Sequence, residues 1–259
     1  MVKRSEAKRS DLAVEVPEPS SRACAQRMDA AGRTAGALAH EIANYLGTIR
    51  ATLYLLADRL RDDQGSRDDL DVLARTVDGA AAFVEALRRF AHPPLLGAGP
   101  ADLSTVLREA EPALRAAMRP GTTLTLILAP GPLPVRGDAP RVRELALNLV
   151  AGASHTLGAG GQVEIETRRA PDGVGGMPAA LLVVRDNGPG LDPERAGRIF
   201  EPFVFDQAYD AGLRLPTVYA TVAASGGTMV AASEPRAGTT MLVTLPLEAP
   251  PAGRRRPAR

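Results

Sequence analysis

Apolar residues recur at alternating spacings of four and three at Ile42, Leu46, Ile49, Leu53, Leu56 and Leu60, which draws one seam down a helix. The helical pattern begins near Arg22, and the stretch RDDQGSRDD (61–69) breaks it with charged and turn-forming residues. Leu70, Leu73, Val77, Ala80, Val84 and Leu87 resume the same spacing on a second helix. So short a break predicts an antiparallel α-helical hairpin. Two helices alone bury little apolar surface, so pairing of two copies into a dimeric four-helix bundle is the economical arrangement. HPPLLGAGP (92–100) stops the second helix, because proline lacks the N–H and glycine favours turns.

Beyond residue 100 the pattern is mixed. Helical periodicity is expected from Leu103 to Met118, a strand at TTLTLIL (122–128), and a helix from about Pro140 to Leu157. QVEIETR (162–168) and ALLVVRD (180–186) read as strands joined through a hairpin loop, PDGVGGMPA (171–179). A helix from Pro216 to Ala224 precedes two closing strands, TMVAASE and TTMLVTLPL. That order predicts a two-layer α/β sandwich with a mixed sheet. The organisation is therefore a disordered N-terminal segment (1–21), a helical hairpin (22–92), a linker (93–100), an α/β domain (101–248) and a disordered basic tail (249–259).

Composition narrows the partners. Hydrophobic residues make up 45% of 259, but aromatics only 3%, so Leu, Val and Ala must supply the core. A net charge of +1 gives no reason to expect nucleic acid. No apolar run approaches the roughly 20 residues of a spanning helix, so no membrane is expected. One cysteine, Cys24, precludes an intrachain disulfide, and the expected location is cytoplasmic. Three scattered histidines and that cysteine have no metal-ligand spacing, so no zinc site is expected.

On the first helix, with Ile42 and Leu46 on the seam, His40, Asn44 and Thr48 fall four residues apart on the opposite face, and Glu41 lies beside them. An exposed histidine is by itself most simply a solvated side chain. Beside a carboxylate it is also suited to attack phosphorus, since the carboxylate can orient the ring and hold a proton. LAHEIANYLGTI (38–49) resembles the histidine box of two-component sensor histidine kinases, with Tyr45 in place of the proline often found there. The resemblance implies that His40 carries the phosphoryl group, that Glu41 is the acid/base, and that Asn44 places water for dephosphorylation of a partner regulator. It also identifies the α/β sandwich as being of the histidine kinase ATPase type.

VVRDNGPGL (183–191) resembles the first glycine box of that family, although Asn-Gly and Pro-Gly are also ordinary turn pairs. The resemblance implies that Asp186 accepts from the adenine amino group while Gly188 and Gly190 let the backbone approach the base. RIFEPF (198–203) and GTTMLVTLPL (238–247) resemble the phenylalanine box and closing strand that follow. RELALNLVAGASHTL (143–157) resembles the asparagine box and keeps Asn148, but Gly152 stands where the family has its magnesium-binding asparagine. Glycine has no ligating atom and costs about 1 kcal/mol inside a helix. DAGLRLPTVYA (210–220) aligns with the second glycine box and keeps Gly212 alone, with Asp210 and Arg214 at the other glycine positions. A carboxylate about 4 Å from a phosphate opposes binding by about 4 kcal/mol at an effective dielectric near 20. Pro216 is placed in the first turn of its helix, where a missing N–H is harmless.

The expected cofactors are ATP and Mg²⁺, with Gly152, Asp210 and Arg214 weakening the site. The expected partners are a second copy, a response regulator receiver domain and an upstream sensor. Three activities share that frame: an ATP-dependent histidine kinase, an ATP-independent phosphotransferase, and a pseudokinase or phosphatase acting on a regulator. His92 and His155 are most simply structural or solvated.

Overall fold

The computed structural model describes residues 20–60, 63–97, 99–202 and 211–248. The expectations for the two chain ends rest almost wholly on residues outside this set, and Phe203 and Asp210 also lie outside it.

Helix α1 (Ser20–Arg59) and helix α2 (Gln64–Ala91) form the hairpin. The break is shorter than the sequence predicts because Asp63, in extended backbone, takes the N-cap position. Polar residues 64–69 then enter the exposed first turns of α2, where Gln64 donates to Asp68. Leu70, Val77 and Val84 of the seam are buried. On the other side, Ile42 (41%), Ile49 (46%) and Leu73 (50%) stay exposed. A single hairpin therefore covers only part of its own apolar seam.

The segment expected as a linker is tied down. Ala86 and Phe90, near the end of α2, join the core of the following domain. Leu96 is buried; its N–H donates to Ser225 Oγ (3.1 Å) and its carbonyl accepts from Asp138 N (2.6 Å). Strand β1 (Pro100–Asp102) pairs antiparallel with β3 (Pro134–Arg136) in a two-stranded sheet. Strands of three residues have no readable period, so neither was foreseen.

The main sheet contains β2 (Thr123–Ile127), β4 (Gln162–Val174), β5 (Met177–Asp186), β6 (Thr228–Glu234) and β7 (Gly238–Pro246), in the order β2-β4-β5-β7-β6. The β2–β4 pair is parallel and the rest are antiparallel, so the sheet is mixed. The loop expected at 171–179 shrinks to a tight turn, because β4 and β5 pair as far as Val174 and Met177. Alternation sends Val163, Ile165, Leu182, Val184, Val243 and Leu245 to one face. There they meet α3 (Leu103–Ala116), α4 (Ala139–His155) and α6 (Ala211–Ala224), giving the two-layer sandwich. The short α5 (Pro193–Gly197) was not foreseen. No helix among the described residues is long and apolar enough to cross a membrane.

Asp102 fastens the small sheet to α3: Oδ1 accepts from Thr105 N (2.8 Å) and Oδ2 from Leu133 N (2.6 Å). Burial pushes this carboxyl up, but the bonds from Thr105 and Leu133 and the charge of Arg108 outweigh it and hold the group below 3.8. Asp102→Ala is expected to cost about 2 kcal/mol in urea denaturation, from a lost cap and a stranded N–H. A depressed carboxyl stabilises above its unfolded pKa and loses that contribution as pH falls through the folded one. The variant's deficit should therefore shrink in acid, and a deficit constant with pH would contradict the assignment.

Candidate functional site

His40, Glu41 and Asn44 are exposed on α1, as is Thr48, whose hydroxyl donates to the Asn44 carbonyl (3.1 Å). Neighbouring Ala39 is fully buried, between exposed Leu38 and His40. One turn earlier, a Cβ on Gly36 would lie 3.0 Å from His92 Nε2 and 3.2 Å from Ala91 Cβ. The small residue thus lets the end of α2 approach α1 beside His40. Nothing in the sequence pattern pointed to that contact.

The Asp186 loop sits at the end of β5. Asp186 Oδ1 accepts from Gly188 N (2.8 Å) and Thr239 N (3.3 Å). Among the described residues Oδ2 takes no hydrogen bond, which leaves it available to a ligand donor. Burial raises this carboxyl above 3.8, against the pull of the two N–H groups. Gly190 has φ +67, and a Cβ there would overlap the Glu234 carbonyl oxygen. Its absence of side chain serves the packing of this loop on the β6–β7 turn. Gly188 lies against the floor formed by Thr156 and Leu157, where a Cβ would come within 3.2 and 3.3 Å.

Helix α4 connects this loop to the rest of the site. Its apolar stripe, Val142, Leu145, Ala146, Leu149 and Ala153, is buried in the core. A second row at a spacing of four runs Glu144, Asn148, Gly152 and on to Thr156, ending at Gly188. Asn148 and Gly152 are half-buried. Helix α6 lies over this row: a Cβ on Gly152 would meet Leu215 Cδ2 at 3.5 Å. Gly212 and Arg214 fall in the first turns of α6, with Arg214 Nε buried.

Here one expectation is corrected. Pro216 is the sixth residue of α6, inside the helix, and not in its first turn. Burial of Leu213 and the contact of Leu215 with α4 hold the preceding turn helical despite the ring.

The donor set suits the base of a nucleotide better than a metal ion. Asp186 Oδ2 is an unengaged acceptor beside a glycine-lined loop. At Gly152, where the family resemblance places a ligand to Mg²⁺, the described residues present Leu215, and hydrocarbon coordinates no hard cation. Among the described residues no group of three or more His, Cys, Asp or Glu is placed to hold a metal. Farther along α4, a small open pocket is lined by Arg89 of α2, by Arg141, Glu144 and Asn148, and by Thr217 and Thr221 of α6. The sequence reading missed both arginines, which look like solvated positions on separate helices.

Residues 137–249 match the histidine kinase-, DNA gyrase B-, and HSP90-like ATPase family. The chain is 28% identical over 223 residues to the sensor histidine kinase ZraS of Klebsiella oxytoca, covering 86% of this chain and 47% of that protein. It is 29% identical over 232 residues to the sensor kinase CckA of Brucella abortus (strain 2308), covering 85% of this chain and 25% of that one. A solved structure of full-length ShkA in complex with AMPPNP superposes with a TM-score of 0.58 at 25% identity, over 85% of this chain and 46% of that one. The C-terminal part is therefore an ATPase domain of this type, and the chain is a homologue of two-component sensor histidine kinases. It spans between a quarter and a half of the length of these two curated relatives.

Proposed function

We propose that this chain is the transmitter of a two-component histidine kinase, in which His40 carries a phosphoryl group and exchanges it with an aspartate of a response regulator. The observation that supports it best is the pairing, in one chain, of an exposed His40–Glu41–Asn44 face with an ATPase domain whose Asp186 presents a free acceptor. In this reading Glu41 holds the proton that His40 releases on attack, and Asn44 orients water when the regulator is dephosphorylated. ATP is the donor: Asp186 takes the adenine amino group, Gly188, Gly190 and Gly212 give its backbone contacts, and Asn148 faces the phosphates. The exposed seam of Ile42, Ile49 and Leu73 is covered by a second copy, making a four-helix bundle. The division into hairpin (22–92) and ATPase domain (101–248), a cytoplasmic location and an upstream sensor partner belong to the same reading.

Gly152 under Leu215 favours a second reading, in which the bundle works on a regulator without ATP-driven phosphorylation. One experiment separates the two. The chain and His40→Ala are incubated with γ-labelled ATP and Mg²⁺, then with a phosphorylated receiver domain. Acid-labile label from ATP on the wild type alone is the expected result. Label arriving only from the receiver supports the second reading. If neither donor labels His40 and the receiver keeps its phosphoryl group, both readings fail; release of free phosphate without label supports a phosphatase form of the second.

A further inference from the structure

The pocket at the junction of α2, α4 and α6 carries charge that the Proposed function leaves unassigned. Arg141 meets Glu144 at 3.0 Å and Arg89 meets the same carboxylate at 3.9 Å. Two guanidiniums facing one carboxylate leave the pocket with an excess of one positive charge. All three side chains are partly solvated, so these pairs are weak and readily exchanged for a better anion. Asn148 lines the pocket, and Thr156, the C-cap of α4 at the Gly188 loop, is eight residues further on, or about 12 Å at 1.5 Å per residue. A nucleotide whose base rests at Asp186 and whose tail runs beside this row, flanking Leu215 where it covers Gly152, points its phosphates at Asn148 and the two arginines. Between them, Gly152 has no side chain to ligate a metal, and among the described residues Leu215 lies over it.

We infer that the site binds nucleotide without a divalent metal, the phosphates being held by Arg141 and Arg89 in place of Mg²⁺. This rests on the nucleotide reading of the Asp186 loop. A phosphate takes the place of the Glu144 carboxylate between the guanidiniums, whose planar forks suit its oxygens, and the Asn148 amide donates beside them. Because Arg89 belongs to the hairpin, a bound phosphate also clasps the end of α2 to the ATPase domain. Nucleotide occupancy and hairpin geometry are then linked.

The test is equilibrium binding of a fluorescent ADP analogue to the full chain, in excess EDTA and in excess Mg²⁺. Comparable affinity under both conditions is expected. Arg141→Ala and Arg89→Ala should each weaken binding in EDTA by roughly tenfold or more. Arg141→Lys, which keeps charge but loses the fork, should fall between. Both arginines are about half exposed, so the fold should survive, as a thermal melt would verify. Binding that requires Mg²⁺ overturns the inference and leaves the nucleotide reading standing. Binding in EDTA that ignores both arginines overturns the clasp. Absence of binding in either buffer defeats the inference and the nucleotide reading together.

Discussion

Substituting valine for Gly238 is expected to destabilise the whole ATPase domain severely, not merely to loosen one turn. Gly238 opens β7 at φ +84, and a Cβ there would overlap the carbonyl oxygen of Asp186 and stand 3.1 Å from Asn187 Cα. Both obstacles are backbone, so no side-chain rotation relieves them. Left-handed backbone alone costs a residue with a Cβ about 1–2 kcal/mol, and β-branching adds to it. Next to it, Ser233 Oγ donates to the Gly238 carbonyl (3.0 Å) and Thr239 N donates to Asp186 Oδ1 (3.3 Å). Displacing Gly238 loosens these bonds as well. A total of about 4 kcal/mol or more is expected, against a usual domain stability of about 5–15 kcal/mol. Gly47→Ala is the control. Nothing lies within 4 Å of a Cβ there, so alanine in α1 should stabilise by up to about 1 kcal/mol. Urea titration followed by circular dichroism reads both variants, and an unshifted transition in Gly238→Val would refute the packing argument.

The same glycine shows what a linear reading can and cannot reach. Asp186, Gly188 and Gly190 were legible because they are contiguous and end a recognisable strand. The need for Gly238 was not, since the carbonyl it accommodates lies 52 positions earlier and is brought close by the β5–β7 pairing. Long periodic elements such as α1, α2 and α4 were legible, because amphipathic spacing persists over several turns. Proline and glycine at 92–100 signal a connecting segment, while the burial of Leu96 and its bond to Ser225 are tertiary facts that no local pattern carries. The start of α6 was misplaced because a helix-breaking residue is tolerated where neighbours pack well enough to hold the turn before it. The row from Glu144 to Gly152 was available from spacing alone. That Arg89 completes its pocket depends on how α2 docks, which no local pattern encodes.

Asp186→Asn should move stability and ligand binding in opposite directions. Asp186 is pushed above 3.8 chiefly by burial, only partly countered by the N–H groups of Gly188 and Thr239. A carboxyl with a raised folded pKa contributes stability below its unfolded pKa, and that contribution is lost as pH rises through the folded value. At neutral pH the half-buried carboxylate therefore works against folding. Asparagine keeps an oxygen for Gly188 N and Thr239 N and removes the charge, so its denaturation midpoint at pH 7 should exceed that of the wild type. The advantage should shrink as pH falls through the folded value and vanish well below about pH 4, where aspartate is protonated in both states. Binding responds differently. The amide nitrogen takes the place of Oδ2, so in the proposed binding mode a donor would face the adenine amino group where an acceptor is needed. Two buried donors without an acceptor are expected to reduce ADP affinity roughly tenfold to a hundredfold. A variant that loses both stability and binding would make Asp186 a structural residue. One that keeps full affinity would move the adenine contact away from this loop. A stabilised variant that no longer holds nucleotide is the result expected of a carboxylate retained for its ligand at the expense of the fold.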